Sequence, residues 1–72
     1  MTVQIVVKGI APKLKDMRAA AGLSQEEVAE AMRNAGYTYF RQTTVSKIER
    51  GDRRLLLDES VDLLGIVEGD KK

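Results

Sequence analysis

The side chains with the clearest hydrogen-bonding chemistry lie in one short segment, Gln42–Gly51, which reads QTTVSKIERG. If this segment is helical, 3.6 residues per turn bring four polar side chains within about 100° of one another: Thr43, Ser46, Lys47 and Arg50. Val45 and Ile48 then point to the opposite side. Such a helix can pack its apolar side on a core while its polar side offers hydroxyl and cationic groups to a ligand. A DNA major groove is one surface that accepts such a helix.

The composition limits the chemistry available elsewhere in the chain. Seventy-two residues form one small domain whose stability depends on a few well-packed helices. Because cysteine and histidine are both absent, thiolate and imidazole metal sites and imidazole acid–base catalysis are excluded. The carboxylates of Glu26 and Glu30 fall on an open helix face with no pocket implied. We therefore expect no enzyme, no metal and no cofactor.

Charge is unevenly distributed along the chain, although the net charge is only +1. Residues 1–57 hold ten Lys or Arg against six Asp or Glu, whereas residues 58–72 carry a net charge of −3. An acidic end would face away from a polyanion or toward a protein partner. The apolar run Val3 to Val7 is too short for a membrane span and lacks the basic leader of a signal peptide. We expect a cytoplasmic protein that is not bound to a membrane.

The first third of the chain predicts an arm and one helix. Residues Thr2 to Val7 are rich in β-branched types, which predicts a short strand or extended arm within residues 1–10. Ala11 and Pro12 indicate a helix start, because proline fits the first turn. One apolar stripe then runs to Gly22, a candidate C′ glycine: Ile10, Leu14, Met17 and Ala21.

The middle of the chain predicts a second helix and an aromatic link. Ser24 and Glu27 have the spacing of a capping box. An apolar stripe follows and predicts a helix that ends near Gly36: Val28, Ala31, Met32 and Ala35. The link from Gly36 to Arg41 contains all three aromatic residues, of which we expect Phe40 to be the best buried.

Two further helices are predicted in the last third. The third runs from about Gln42 to Arg50 and stops at Gly51, a residue that readily adopts the left-handed conformation. In the fourth, Leu57, Val61 and Leu64 repeat at spacings of four and three, which predicts a short helix that ends at Gly65. Asp58 and Glu59 would lie near the positive N-terminus of this helix. The domain thus spans residues 11–67, and residues 68–72 form a charged tail.

Two motifs carry a resemblance to a known family. The segments LSQEEVA (Leu23–Ala29) and TVSKIERG (Thr44–Gly51) resemble the two halves of the helix-turn-helix in lambda-repressor and Cro-like DNA-binding domains. The resemblance covers residues from about 11 to 66. It implies an all-α, four- to five-helix domain that binds double-stranded DNA through its third helix.

The resemblance also implies roles for individual residues. In the family, bases are read from the start and outer face of the third helix, which here implies Gln42, Thr43, Ser46 and Lys47. Gln25 is similar to the glutamine that begins the second helix, where the helix N-terminus approaches a phosphate. An arginine of the first helix commonly pairs with an acidic residue near the end of the third, which implies a structural ion pair between Arg18 and Glu49.

Four further arginines suit phosphate contacts, which supply affinity without sequence information: Arg41, Arg50, Arg53 and Arg54. A solvated basic face is the competing interpretation for each of them. The chain departs from the family in the stretch Arg33 to Arg41, where about six extra residues form either a loop or a longer second helix. Tyr37, Tyr39 or Arg41 would there pack on the core or contact DNA.

The leading hypothesis is a sequence-specific transcriptional regulator, a repressor that occupies an operator. Because one recognition helix reads few base pairs, we expect a homodimer, joined through the strand Val3–Val7 or the apolar end near Ile66 and Val67. The alternative is an antitoxin or regulatory adaptor whose main partner is another protein.

Overall fold

The chain folds into helices linked by short connections. The computed structural model describes residues 6–7 and 11–68, with side chains from residue 13 onward. Within these residues the elements in chain order are β1 (Val6–Val7), α1 (Ala11–Ala20), α2 (Gln25–Asn34), α3 (Gln42–Arg50), β2 (Leu55–Leu56) and α4 (Leu57–Val67). The predicted small all-α domain is confirmed. None of the described helices has the length and apolar character needed to cross a membrane.

The two strands form a minimal antiparallel pair. Val6 lies opposite Leu56 and Val7 opposite Leu55, so this part of the predicted arm pairs with its own chain. The remainder of the predicted strand, Thr2 to Ile5, lies outside the described residues, as do Ile10 and residues 69–72 of the predicted tail. The pairing attaches the start of the chain to the segment that leads into α4.

Local signals fix the junction between α1 and α2. Gly22 has a φ of +75°, and the Leu23 N–H donates to the Arg18 carbonyl at 3.1 Å, which closes α1. The predicted capping box is present: Ser24 Oγ accepts from the Glu27 N–H at 3.0 Å, and the Ser24 N–H donates to Glu27 Oε1 at 2.7 Å. These bonds satisfy backbone donors at the start of α2 that have no partner within the helix.

A single apolar core holds the four helices together. Phe40 is fully buried and is the largest such side chain, as predicted. Ala35, predicted to extend the stripe of α2, is exposed, whereas Ala29 is fully buried. The buried apolar residues are Leu14, Val28, Ala29, Met32, Phe40, Val45, Ile48, Leu55, Leu63 and Val67.

The predicted fourth helix is present, but it does not end at Gly65, and of its apolar stripe only Leu64 packs against the core. Leu57 is 42% exposed and Val61 is 63% exposed, and the helix continues through Gly65 to Val67. The buried side of α4 consists of Glu59, Ser60, Leu63 and Val67. Hydrophobic spacing failed here because a carboxylate takes a core position, which is tolerable only because it is fully hydrogen-bonded. Since Val67 lies in the core of its own chain, it is not the exposed apolar end predicted as a dimer contact.

The extra residues between α2 and α3 form a loop rather than a longer helix, because α2 ends at Asn34. The loop is attached to α4 by its tyrosines. The Tyr37 hydroxyl donates to the Asp58 carbonyl at 3.0 Å, and the Tyr39 hydroxyl donates to Glu59 Oε2 at 2.6 Å. The loop therefore packs on the fourth helix, which fixes the point where α3 begins.

Candidate nucleic-acid interface

The helix α3 is divided into a buried side and an open side. Val45 and Ile48 are fully buried against α1 and α2. The polar residues on the other side are accessible: Thr43, Lys47 and Arg50 are exposed, and Ser46 is half-buried. The polar residues spaced along the sequence thus form one accessible surface on α3, and the apolar side of the helix packs on the core.

Both ends of α3 are closed by short-range hydrogen bonds. At its start, the Arg41 N–H donates to Thr44 Oγ1 at 3.0 Å. At its end, Gly51 adopts a φ of +81°, and the Asp52 N–H donates to the Lys47 carbonyl at 2.8 Å. Because a side chain with a Cβ rarely adopts this φ, glycine is the residue that lets the chain turn away from the polar surface.

A hydrogen-bonded chain links α1, α2 and α3 beneath this surface. Arg18 Nε donates to Glu49 Oε2 at 2.6 Å and Arg18 Nη2 to Glu49 Oε1 at 3.1 Å, a two-pronged ion pair. Gln25 Nε2 donates to the same Glu49 Oε1 at 2.9 Å. Gln42 Nε2 in turn donates to Gln25 Oε1. The first residue of α3 is therefore connected, through the first residue of α2, to a nearly buried carboxylate.

The ion pair at the base of this chain is held in its charged form. The Glu49 side chain is only 5% exposed and that of Arg18 14%. Burial alone would raise the pKa of Glu49, but the hydrogen bonds from Arg18 and Gln25 outweigh it and hold the pKa below its usual range. The same hydrogen bond from Arg18 to Glu49 raises the pKa of Arg18. Both groups stay ionised at neutral pH.

Arg50 lies along the open side of α3 and is held by two neighbours. Its Nη1 donates to Ser46 Oγ at 2.6 Å, and its Nε donates to Asp52 Oδ2 at 3.1 Å. The Ser46 hydroxyl is thus engaged with Arg50 in the free protein. The Arg50 side chain remains 56% exposed, and its guanidinium keeps further N–H donors for a ligand.

Arg53 occupies a different environment from Arg41 and Arg54, which are exposed. Its Nη1 and Nη2 donate to the two carboxylate oxygens of Glu59, each at 3.0 Å. Its guanidinium also lies 5.4 Å from the Phe40 ring centroid. Arg53 therefore contributes to the packing of the loop on α4, and the phosphate contact expected from its charge stays a prediction.

Glu59 is the residue that the sequence reasoning missed. It is 1% exposed and accepts from Arg53, from the Tyr39 hydroxyl and, at 3.1 Å, from the Leu56 N–H. Burial pushes its pKa up, yet these hydrogen bonds together hold the pKa below its ordinary value. Burial and the same carboxylate raise the pKa of Tyr39 to about 12. The available signal was its position in the third residue of a helix, where an acidic side chain reaches back to the preceding backbone N–H.

The comparison with known families agrees with this geometry. A family model described as a helix-turn-helix domain matches residues 10–67 of the 72-residue chain. The chain therefore belongs to the helix-turn-helix domain family, which confirms the resemblance seen in the two motifs and indicates a DNA-binding regulator. Domains of this class are typically non-enzymatic. No curated protein and no solved structure matches the chain.

Proposed function

We propose that the protein is a sequence-specific regulator of transcription that binds duplex DNA with α3 in the major groove. One observation carries the proposal: α3 buries Val45 and Ile48 completely and keeps its polar side open to solvent. A rigid helix with this division inserts its polar side chains into a groove without disturbing the core. The major groove has the width and the pattern of donors and acceptors that such a helix reads.

The base-reading residues proposed are Gln42, Thr43, Ser46 and Lys47. Lys47 donates to guanine O6 or N7, and the Thr43 methyl group contacts a thymine methyl. Gln42 pairs with adenine through its amide, whose orientation is restrained by the bond to Gln25. The Ser46 hydroxyl accepts a hydrogen bond from Arg50 in the free protein. It therefore contacts a base either with its own O–H while that bond is kept, or after that bond is exchanged for one to the base.

The phosphate contacts proposed come from the edges of this surface. Gln25 is the first residue of α2, and the backbone N–H groups at that helix end favour an anion. Arg41, Arg50 and Arg54 are exposed cations close in sequence to the two ends of α3. These contacts position the helix and make binding salt-dependent.

The mode of action proposed is repression by occupancy. Occupying an operator excludes polymerase without any chemical step, which suits a chain with no histidine and no cysteine. Two copies on half-sites about 34 Å apart would multiply the discrimination of a single recognition helix. We therefore propose that the DNA-bound species contains two protomers.

Selection of bound sequences from a random duplex pool tests this function. The wild-type chain should enrich a two-fold symmetric motif, and Lys47→Ala and Thr43→Ala should each relax the preference at a defined position. Lys13→Ala, an exposed cation on α1, is the matched control and should enrich the wild-type motif. If Lys47→Ala and Thr43→Ala leave the motif unchanged, the reading surface has been assigned wrongly. If the wild-type chain enriches nothing but co-purifies with another protein, the adaptor hypothesis is favoured instead.

A further inference from the structure

The Ser46 hydroxyl on the open side of α3 is bound by one side chain among the described residues. Arg50 lies one helical turn further along the same side, and its Nη1 donates to Ser46 Oγ at 2.6 Å. A guanidinium has hydrogen-bond donors and no acceptor, so Ser46 takes part in this bond only as the acceptor. The contact therefore fixes which part of the hydroxyl faces Arg50 and leaves the O–H to point elsewhere.

The O–H of Ser46 differs in this respect from that of the serine in α4. A serine within a helix often donates to a carbonyl about one turn earlier, as Ser60 does to the Leu57 carbonyl at 2.7 Å. Within the part of the chain that the structure describes, the Ser46 O–H has no acceptor of this kind. Because Ser46 is half-buried on the surface that also carries the exposed Thr43 and Lys47, its O–H is available to a ligand that covers this surface.

The guanidinium of Arg50 is held from a second side as well. Arg50 Nε donates to Asp52 Oδ2 at 3.1 Å, and the Asp52 backbone N–H donates to the Lys47 carbonyl at 2.8 Å. Asp52 is therefore fixed at the end of α3 and supports the guanidinium where it lies against Ser46. These bonds use only part of the donor set of Arg50, so its remaining N–H groups can meet a phosphate while the bond to Ser46 is kept.

We propose that Arg50 is a positioning residue that makes Ser46 read a hydrogen-bond acceptor on a base. This inference rests on the proposed function, in which α3 enters the major groove. A serine hydroxyl can in general meet either a donor or an acceptor on a base edge. Here the adjacent positive charge polarises the O–H and repels amino groups. Ser46 therefore donates to N7 of a purine, O6 of guanine or O4 of thymine, and the amino groups of adenine and cytosine are disfavoured.

Base analogues that lack a single major-groove atom test the direction of this hydrogen bond. The base pair read by Ser46 is the one at which Ser46→Ala loses the preference shown in the duplex that the wild-type chain selects. At this pair, 7-deazapurine removes N7, 2-aminopurine removes O6 of guanine, and 5-methyl-2-pyrimidinone removes O4 of thymine. One of these analogues should weaken binding of the wild type about threefold to tenfold more than binding of Ser46→Ala, because the wild type loses one hydrogen bond.

Two outcomes of this experiment would overturn the proposal. The first is a penalty specific to the wild type that arises on removal of an amino group, with purine in place of adenine or 2-pyrimidinone in place of cytosine. Ser46 would then accept from the base. The second is a Ser46→Ala variant that loses no preference at any base pair, in which case Ser46 does not read a base.

Arg50→Met separates the positioning of Ser46 from a phosphate contact. It should bind every duplex more weakly, and its penalty for the sensitive analogue should fall to at most about half of the wild-type penalty, because the hydroxyl is no longer polarised. Arg54→Met removes another exposed cation proposed to contact phosphate; it is the matched control and should keep the full penalty. A full penalty in Arg50→Met would overturn the inference and leave the proposed function standing. If the wild-type chain selects no duplex at all, the proposed function fails and the inference fails with it.

Discussion

The ion pair between Arg18 and Glu49 supports the sharpest energetic prediction. Glu49 accepts three side-chain hydrogen bonds, two from Arg18 and one from Gln25, and its side chain is 5% exposed. In Arg18→Met the carboxylate would keep only the bond from Gln25 and would remain largely desolvated. Breaking a buried pair from one side costs roughly 3–5 kcal/mol, and we expect about 3 kcal/mol because Arg18 retains some exposure.

This loss is large relative to the stability of so small a domain. At roughly 0.05–0.15 kcal/mol per residue, the free energy of unfolding of a chain this size is about 4–11 kcal/mol. A loss of about 3 kcal/mol should lower the midpoint of thermal unfolding by roughly 12–24 °C, since each kcal/mol shifts a small domain by about 4–8 °C. Urea unfolding followed by circular dichroism measures the free energy itself.

A double-mutant cycle separates the coupling energy of the ion pair from the effect of losing either side chain alone. Lys13→Met, an exposed cation on the same helix, is the matched control and should change stability by less than about 0.5 kcal/mol. Arg18→Met combined with Glu49→Gln should be less destabilised than the sum of the two single variants, by at least about 1.5 kcal/mol, because the neutral amide no longer needs a cation. Additive single effects, or an Arg18→Met loss no larger than that of Lys13→Met, would refute the assignment.

Three other perturbations follow from the same contacts. The pKa of Glu59 is lower in the folded chain than in the unfolded chain, so the stability that its ionised form contributes is present above about pH 4.3 and is lost as the pH falls through the folded pKa. The free energy of unfolding, measured by urea titration at several pH values, should fall less steeply in acid for Glu59→Gln than for wild type. Parallel plots of this free energy against pH would contradict the prediction. Tyr39→Phe removes a charge-assisted bond to Glu59 and should lower the free energy of unfolding in urea by about 1.5–3 kcal/mol, whereas a neutral result would contradict a stabilising role for this hydroxyl. Ser24→Ala removes one half of the capping box and should cost about 1 kcal/mol by the same assay, with Ser24→Thr close to wild type; no difference between the two would argue against the cap.

Much of the fold was accessible from the sequence because its signals are local. The box formed by Ser24 and Glu27 and the turn at Gly51 each depend on backbone geometry within a few residues, and both are present. The burial of Val45 and Ile48 followed from spacing alone. These features also determine which side of α3 is open.

The fourth helix shows why the remainder was not accessible. Its sequence contains two competing patterns, and in the cleaner apolar one, Leu57 and Val61 face solvent while only Leu64 packs against the core. The side that packs inward includes Glu59, whose burial depends on Arg53 and Tyr39, two residues at other places in the chain. No local sequence rule indicates that the loop with Tyr39, the turn with Arg53 and α4 will come together so that the Glu59 carboxylate receives its hydrogen bonds. The same contacts engage Arg53, a candidate phosphate ligand, with Glu59 in the free protein.

The central claim is that the open side of α3 reads bases, and binding measured against single base-pair changes tests it most directly. Dissociation constants of the selected duplex and of each of its single base-pair variants are compared for wild type and Lys47→Ala at one fixed salt concentration. We expect the wild type to lose about 1–3 kcal/mol of binding free energy when one particular G·C pair is replaced, and Lys47→Ala to lose none at that pair. Replacing base pairs at distant positions should cost both proteins the same. If Lys47→Ala retains the full penalty at every base pair and only binds all duplexes more weakly, Lys47 contacts phosphate and the reading surface lies elsewhere.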